Sequence, residues 1–154
     1  MKLISHSSHS NQTARLIVLA MSCTVVSGAL SQQAEQLECP AMIQEKSVRI
    51  VDTPSGWTQF VAAPLYLHGA APMSGPADQL GELAGFKQSR IKGGVVHTYQ
   101  LDGKFSEGKW LACTYGESDQ IKLARRLADG TSSCTFTYRK GEFVGQVDVA
   151  ISCK

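Results

Sequence analysis

His68 and His97, with the carboxylates Glu82, Asp102, Glu107, Glu117 and Asp119, are side chains that could carry proton transfer or metal chemistry. Their spacing supports neither. A zinc site needs ligands at short repeats such as HxxxH or CxxC, and neither histidine sits in such a pattern. Ser74, in the run PMSGP, lacks the strand-to-helix turn and adjacent base that make a serine nucleophilic. A glycosidase-like pair of carboxylates would have to be assembled by folding, and none lies in an apolar run that would raise its pKa. Gly93 and Gly94 sit between two strand-like runs, where a phosphate-cradling loop would need a strand followed by a helix. No catalytic, cofactor-binding or metal-ligating residue is therefore assigned, and no cofactor is expected.

What remains is binding. The run GAAPMSGPADQLGELAG places Pro72, Gly75 and Pro76 at close intervals and reads as the longest irregular stretch of the chain. Loops held by a rigid scaffold are where binding residues concentrate. Pro72, Met73, Ser74 and Asp78 are accordingly the candidate loop contacts with a partner. Lys122, Arg125, Arg126, Arg139 and Lys140 make the last third locally basic, and Arg125 and Arg126 join the candidate contacts. The plainer role for these charges is to keep a sheet surface solvated and its edges unpaired. Trp110 is the last candidate; its alternative is packing in a second layer.

The elements that must position these residues are strands. In KWLACTY, residues 109–115, Leu111, Cys113 and Tyr115 alternate with Trp110, Ala112 and Thr114, the two-residue period of a strand with one face in a core. Cys134, Phe136 and Tyr138 share a face in SCTFTY, and Val147, Val149, Ile151 and Cys153 share one at the end of the chain. Shorter candidates are 47–50, 57–62, 65–68, 86–91, 95–101 and 121–124, with a hairpin turn at 92–94. Residues 77–84 and 123–128 are open to a helical reading. About eight short strands and no convincing amphipathic helix predict a mainly β domain, an antiparallel sandwich or small barrel.

The N-terminus predicts export. A basic, acid-free start ends at Arg15, and an apolar run of about 14 residues follows, within the length of a secretory signal and short of a bilayer span. Residues 1–29 are read as a cleaved signal peptide, 30–38 as a flexible lead-in and 39–154 as a single β domain. Without Lys2 and Arg15, the 15 basic residues become 13, against 13 acidic ones. A neutral mature chain is a poor nucleic-acid binder. Four of the five cysteines remain in that chain, Cys39, Cys113, Cys134 and Cys153, and an even number in an exported protein reads as a disulfide framework. Of the three pairings, Cys113 with Cys134 and Cys39 with Cys153 are preferred, the first on strands expected to be neighbours and the second tying the ends together.

Cys39 and Pro40, Gly56 and Trp57, the middle stretch 69–83, the strand residues Trp110, Leu111, Cys113 and Tyr115, and the later Cys134 together resemble an uncharacterised family of small exported proteobacterial proteins. The resemblance implies export, cystines and the β class, and no catalytic residue. The leading expectation is an exported, periplasmic or secreted, non-catalytic domain with a periplasmic protein partner, no nucleic acid and no transmembrane anchor. Its particular form is an inhibitor or immunity protein against a cell-wall hydrolase, similar in general design to small periplasmic lysozyme inhibitors. The alternatives are a small envelope hydrolase using carboxylates brought together by folding, and a structural envelope component.

Overall fold

Alternation along each strand decides which residues meet, and two sheets result. The computed structural model describes residues 35–154, apart from Glu82 and Ala84. The expected signal peptide, 1–29, lies outside the described residues, which all belong to one compact unit. In chain order the strands are β1 (Glu35–Leu37), β2 (Met42–Ile43), β3 (Leu65–Ser74), β4 (Lys87–Ile91), β5 (Gly94–Gln100), β6 (Lys109–Tyr115), β7 (Ile121–Arg126), β8 (Ser133–Lys140) and β9 (Val147–Cys153). Single 3-10 turns occupy Glu45–Ser47 and Ala77–Gln79. All pairings are antiparallel. One sheet runs β1-β9-β8-β5-β4 and the other β2-β3-β6-β7.

The two sheets enclose one core. Tyr99, Phe136, Ile151 and Leu37 come from the first sheet, Leu67, Ala70, Leu111 and Tyr115 from the second, and all are buried. The Tyr138 hydroxyl donates to the Ala70 carbonyl at 2.6 Å, crossing from β8 to β3. β1 begins inside the stretch read as a lead-in: Leu37 is opposite Ile151 and 1% exposed. Lys92 and Gly93 form the two-residue turn of the β4–β5 hairpin, with Gly93 at φ +76°. A side chain at Gly94 would collide with the Tyr138 carbonyl, so β5 can lie against β8 only without one there.

The cystine pairing differs from the expected one. Cys113 and Cys134 both face the core, but β6 and β8 belong to different sheets, so they are not strand neighbours. Cys134 instead stands directly opposite Cys153 on β9, with Cα atoms 4.1 Å apart, and the two are bonded. Cys39 lies where the chain leaves β1 for β2, and bonds Cys113. Thus Cys39–Cys113 and Cys134–Cys153 replace Cys113–Cys134 and Cys39–Cys153.

Other local readings also change. Residues 57–62 are not a strand, and 47–50 hold only the end of a 3-10 turn. β7 occupies 121–126, so the helical alternative at 123–128 is not taken. The stretch expected to be irregular, 69–85, is strand over its first six residues, because β3 continues through Pro72 to Ser74. Proline is tolerated for a specific reason. The Ser74 N–H points to the Gly81 carbonyl at 2.6 Å, away from β6, and two residues earlier Pro72 has its nitrogen on that same side. β2 pairs only with Leu65 and Tyr66, so among the described residues no strand at Pro72 needs the missing donor.

One buried charge is held by the backbone. Lys109, 8% exposed, donates through Nζ to the carbonyls of Thr131 at 2.6 Å and Asp129 at 3.0 Å, and lies over the Phe105 ring. Lys109→Met keeps the apolar stem but removes the donor. The expected cost is about 2 kcal/mol, because hydrogen bonds to a charged group are the stronger kind and two carbonyls lose it. Urea unfolding at pH 7 measures it; an unchanged midpoint would mean water replaces the ammonium without loss.

Candidate functional site

The candidate contacts read from sequence are dispersed. Pro72 and Met73 are buried in β3, Met73 at 0% exposure, and Ser74 is half-buried. Asp78 is exposed in the second 3-10 turn. Trp110 is half-buried on the outer face of its sheet, opposite Met73 and Arg126, and its Nε1 donates to the Glu107 carbonyl at 2.9 Å. Arg125 and Arg126 are exposed on β7 but are consecutive, so they address opposite faces of the sheet. Arg126 pairs with Asp129 at 3.1 Å. Lys122, Arg125 and Arg126 belong to one sheet while Arg139 and Lys140 belong to the other, which divides the basic residues.

The residues examined for chemistry separate likewise. His68 meets Asp119 through Nδ1 at 2.9 Å, both partly exposed, which ties the β6–β7 turn to β3. His97 is stacked on Phe86 with ring centroids 4.1 Å apart and lies 4.9 Å from Tyr138; burial lowers its pKa. It is part of an aromatic layer with Tyr99. Glu82 lies outside the described residues. A groove of about 400 Å³ opens between Pro64–Tyr66, residues 116–120 and the β8–β9 turn, and Glu117 is the one carboxylate among its lining residues. No group of three or more His, Cys, Asp and Glu side chains able to hold a metal occurs among the described residues. Nor, among them, is any helix long and apolar enough to cross a membrane.

Burial raises the pKa of two tyrosines, Tyr115 and the partly buried Tyr138. Tyr115 is fully buried, its hydroxyl has no hydrogen-bond partner among the described residues, and burial pushes its pKa up to about 12. Tyr138 is raised further, first by burial and then by the neighbouring Tyr99. A pKa higher in the folded chain means stability complete below pH 10 and lost as pH rises from 10 toward 12. For Tyr115 the full linkage is about 3 kcal/mol. Tyr115→Phe should flatten the fall in urea midpoint between pH 9 and 11, and leave stability at pH 7 unchanged or slightly higher, since an unpaired buried hydroxyl is removed. An equally steep fall in the variant would assign the alkaline loss elsewhere.

Sequence reasoning missed the most exposed apolar surface. Between the first 3-10 turn and β3 the chain makes a closed loop over residues 48–61. The Ile50 N–H donates to Gln59 Oε1 at 2.7 Å, the Thr53 hydroxyl to the Ile50 carbonyl at 3.0 Å, and the Trp57 N–H to the Pro54 carbonyl at 3.1 Å. Its two ends, Val48 with Arg49 and Phe60 with Val61, line one groove of about 320 Å³. The loop presents large apolar side chains to solvent: Val51 is 91% exposed, Phe60 86%, Trp57 75% and Ile50 56%. The signal was available in the sequence. Ile50 and Val51 are adjacent and Trp57 and Phe60 are three apart, which fits no strand period, and Pro54 and Gly56 punctuate the run. Beyond the loop, Phe143 and Val144 add exposed apolar surface at the β8–β9 turn, with Phe143 stacked on Tyr66.

The titratable groups are dispersed, and four of the large exposed apolar side chains fall in one loop. No curated protein and no solved structure matches the chain. A family model described as the type VI secretion system Tli immunity protein matches residues 62–154, from just before β3 through the last strand, and so covers every strand of the sandwich except the short β1 and β2. With more than half of its length matched, this chain belongs to the type VI secretion system Tli immunity protein family.

Proposed function

We propose that this chain is an exported immunity protein that binds an effector hydrolase of the cell envelope and holds it inactive, with no chemistry of its own. The observation that carries this reading is the family match over residues 62–154. Two cystines support export, since such bonds form and persist in oxidising compartments. The apolar run following Arg15 supports it independently, and the periplasm is where an envelope-directed effector would be met. A neutral mature chain with an apolar protruding loop is suited to a protein surface.

The test is protection. Cells in which a type VI effector hydrolase is directed to the periplasm should survive when the full chain is co-produced and die when residues 1–29 are removed from it. Survival with the truncated chain would place the interaction in the cytoplasm. Death in both cases, over a panel of envelope-directed effectors, would contradict the immunity reading.

A further inference from the structure

We infer that the loop of residues 48–61 is the element with which this chain grips its effector, seating Trp57 and Phe60 in an apolar cleft of that protein. This rests on the immunity reading above. Soluble proteins seldom expose several large apolar side chains together unless they meet something. Here Ile50, Val51, Trp57 and Phe60 are all more than half exposed within eleven residues of chain. The loop is also shaped before binding: the Ile50–Gln59, Thr53–Ile50 and Trp57–Pro54 hydrogen bonds close it, so little ordering entropy is left to lose on docking. Trp57 is flanked in sequence by Ser55, Gly56, Thr58 and Gln59, small or neutral polar residues of the kind found at the rim of a hot spot.

Charge separates a protein cleft from a lipid surface as the occupant. Residues 48–61 carry one positive side chain, Arg49, and one negative, Asp52. A loop that inserts into an anionic membrane relies on several Lys or Arg beside its apolar residues, and this loop has no such surplus. A neutral, apolar, preorganised loop fits a concave apolar surface of a protein.

The experiment uses the mature full-length domain and the purified effector identified by the protection test. Affinity is measured for the wild type, Trp57→Ala, Trp57→Ala with Phe60→Ala, and Ile91→Ser as an exposed control on β4. Both loop side chains are exposed, so melting and the two cystines should be unchanged. Trp57→Ala is expected to weaken binding about 30-fold and the double variant about 100-fold or more, the size of a hot-spot loss, with Ile91→Ser within about twofold of wild type. The emission of Trp57 should shift to the blue on binding. Tight binding by the wild type and both loop variants alike would overturn the loop assignment and leave the immunity reading standing. Absence of binding by the wild type would overturn both. Co-sedimentation with phosphatidylglycerol-containing vesicles, or concentration-dependent dimerisation, lost in the double variant would give the loop to a membrane or to a second copy, and overturn the proposal.

Discussion

Replacing Cys39 and Cys113 together by serine is expected to lower stability by about 4 kcal/mol, and replacing Cys134 and Cys153 by about 3 kcal/mol. The difference comes from the unfolded chain. Cys39–Cys113 spans 74 residues of sequence and Cys134–Cys153 only 19, so the first removes more freedom from the denatured ensemble. The folded state gives the same order. The short bond joins two strands already paired through seven residues of register, whereas the long one fastens the crossing from β1 to β2 onto β6. β2 has only two paired residues, so without Cys39–Cys113 the segment carrying the 48–61 loop has little else to anchor its start. Urea unfolding of the two double variants measures both costs. A larger loss for the Cys134–Cys153 variant would contradict this account.

Phe136→Ala is expected to cost about 3 to 5 kcal/mol, a large share of the ~5 to 15 kcal/mol that holds a domain of this size. Phe136 is fully buried in the middle of β8, the strand whose Tyr138 reaches across to the other sheet. Its ring meets Tyr99 edge-on at a centroid distance of 5.5 Å and stacks with Tyr138 at 6.2 Å. Truncation removes apolar area, leaves a cavity and deprives Tyr138 of the neighbour that aims its hydroxyl at Ala70. A cavity among residues held by two cystines collapses poorly, which places the cost in the upper part of the range. A loss below about 1 kcal/mol in urea would mean that this region repacks, and that the sandwich does not depend on the aromatic layer.

The β class was legible because the later strands keep a strict period of two. KWLACTY became β6 with the expected bounds, and the alternation of Val147, Val149, Ile151 and Cys153 reappears in β9, where Ile151 and Cys153 face the core. Period alone cannot assign a strand to a sheet, and this defeated the cystine pairing. Cys113 and Cys134 both point inward, yet bonding depends on which neighbour is adjacent, a property of topology. β3 was read short because proline normally ends a ladder, and its tolerance depends on the local absence of a partner strand, invisible in sequence. For the same reason two of the candidate contacts, Pro72 and Met73, looked like loop residues and are buried in β3. Loop 48–61 was misread in the opposite direction, since Trp and Phe are favoured in strands as well as at contact surfaces.

The central claim, that a cystine-held β sandwich acts by occupying an effector and without chemistry of its own, is tested most directly by titration. A fixed amount of purified effector is assayed on its own substrate while the mature chain is added. The account predicts that turnover falls linearly to background at one chain per effector, and that the chain alone turns over nothing. Effector activity that persists at a several-fold excess of correctly bonded chain would contradict it, as would hydrolysis of the same substrate by the chain itself.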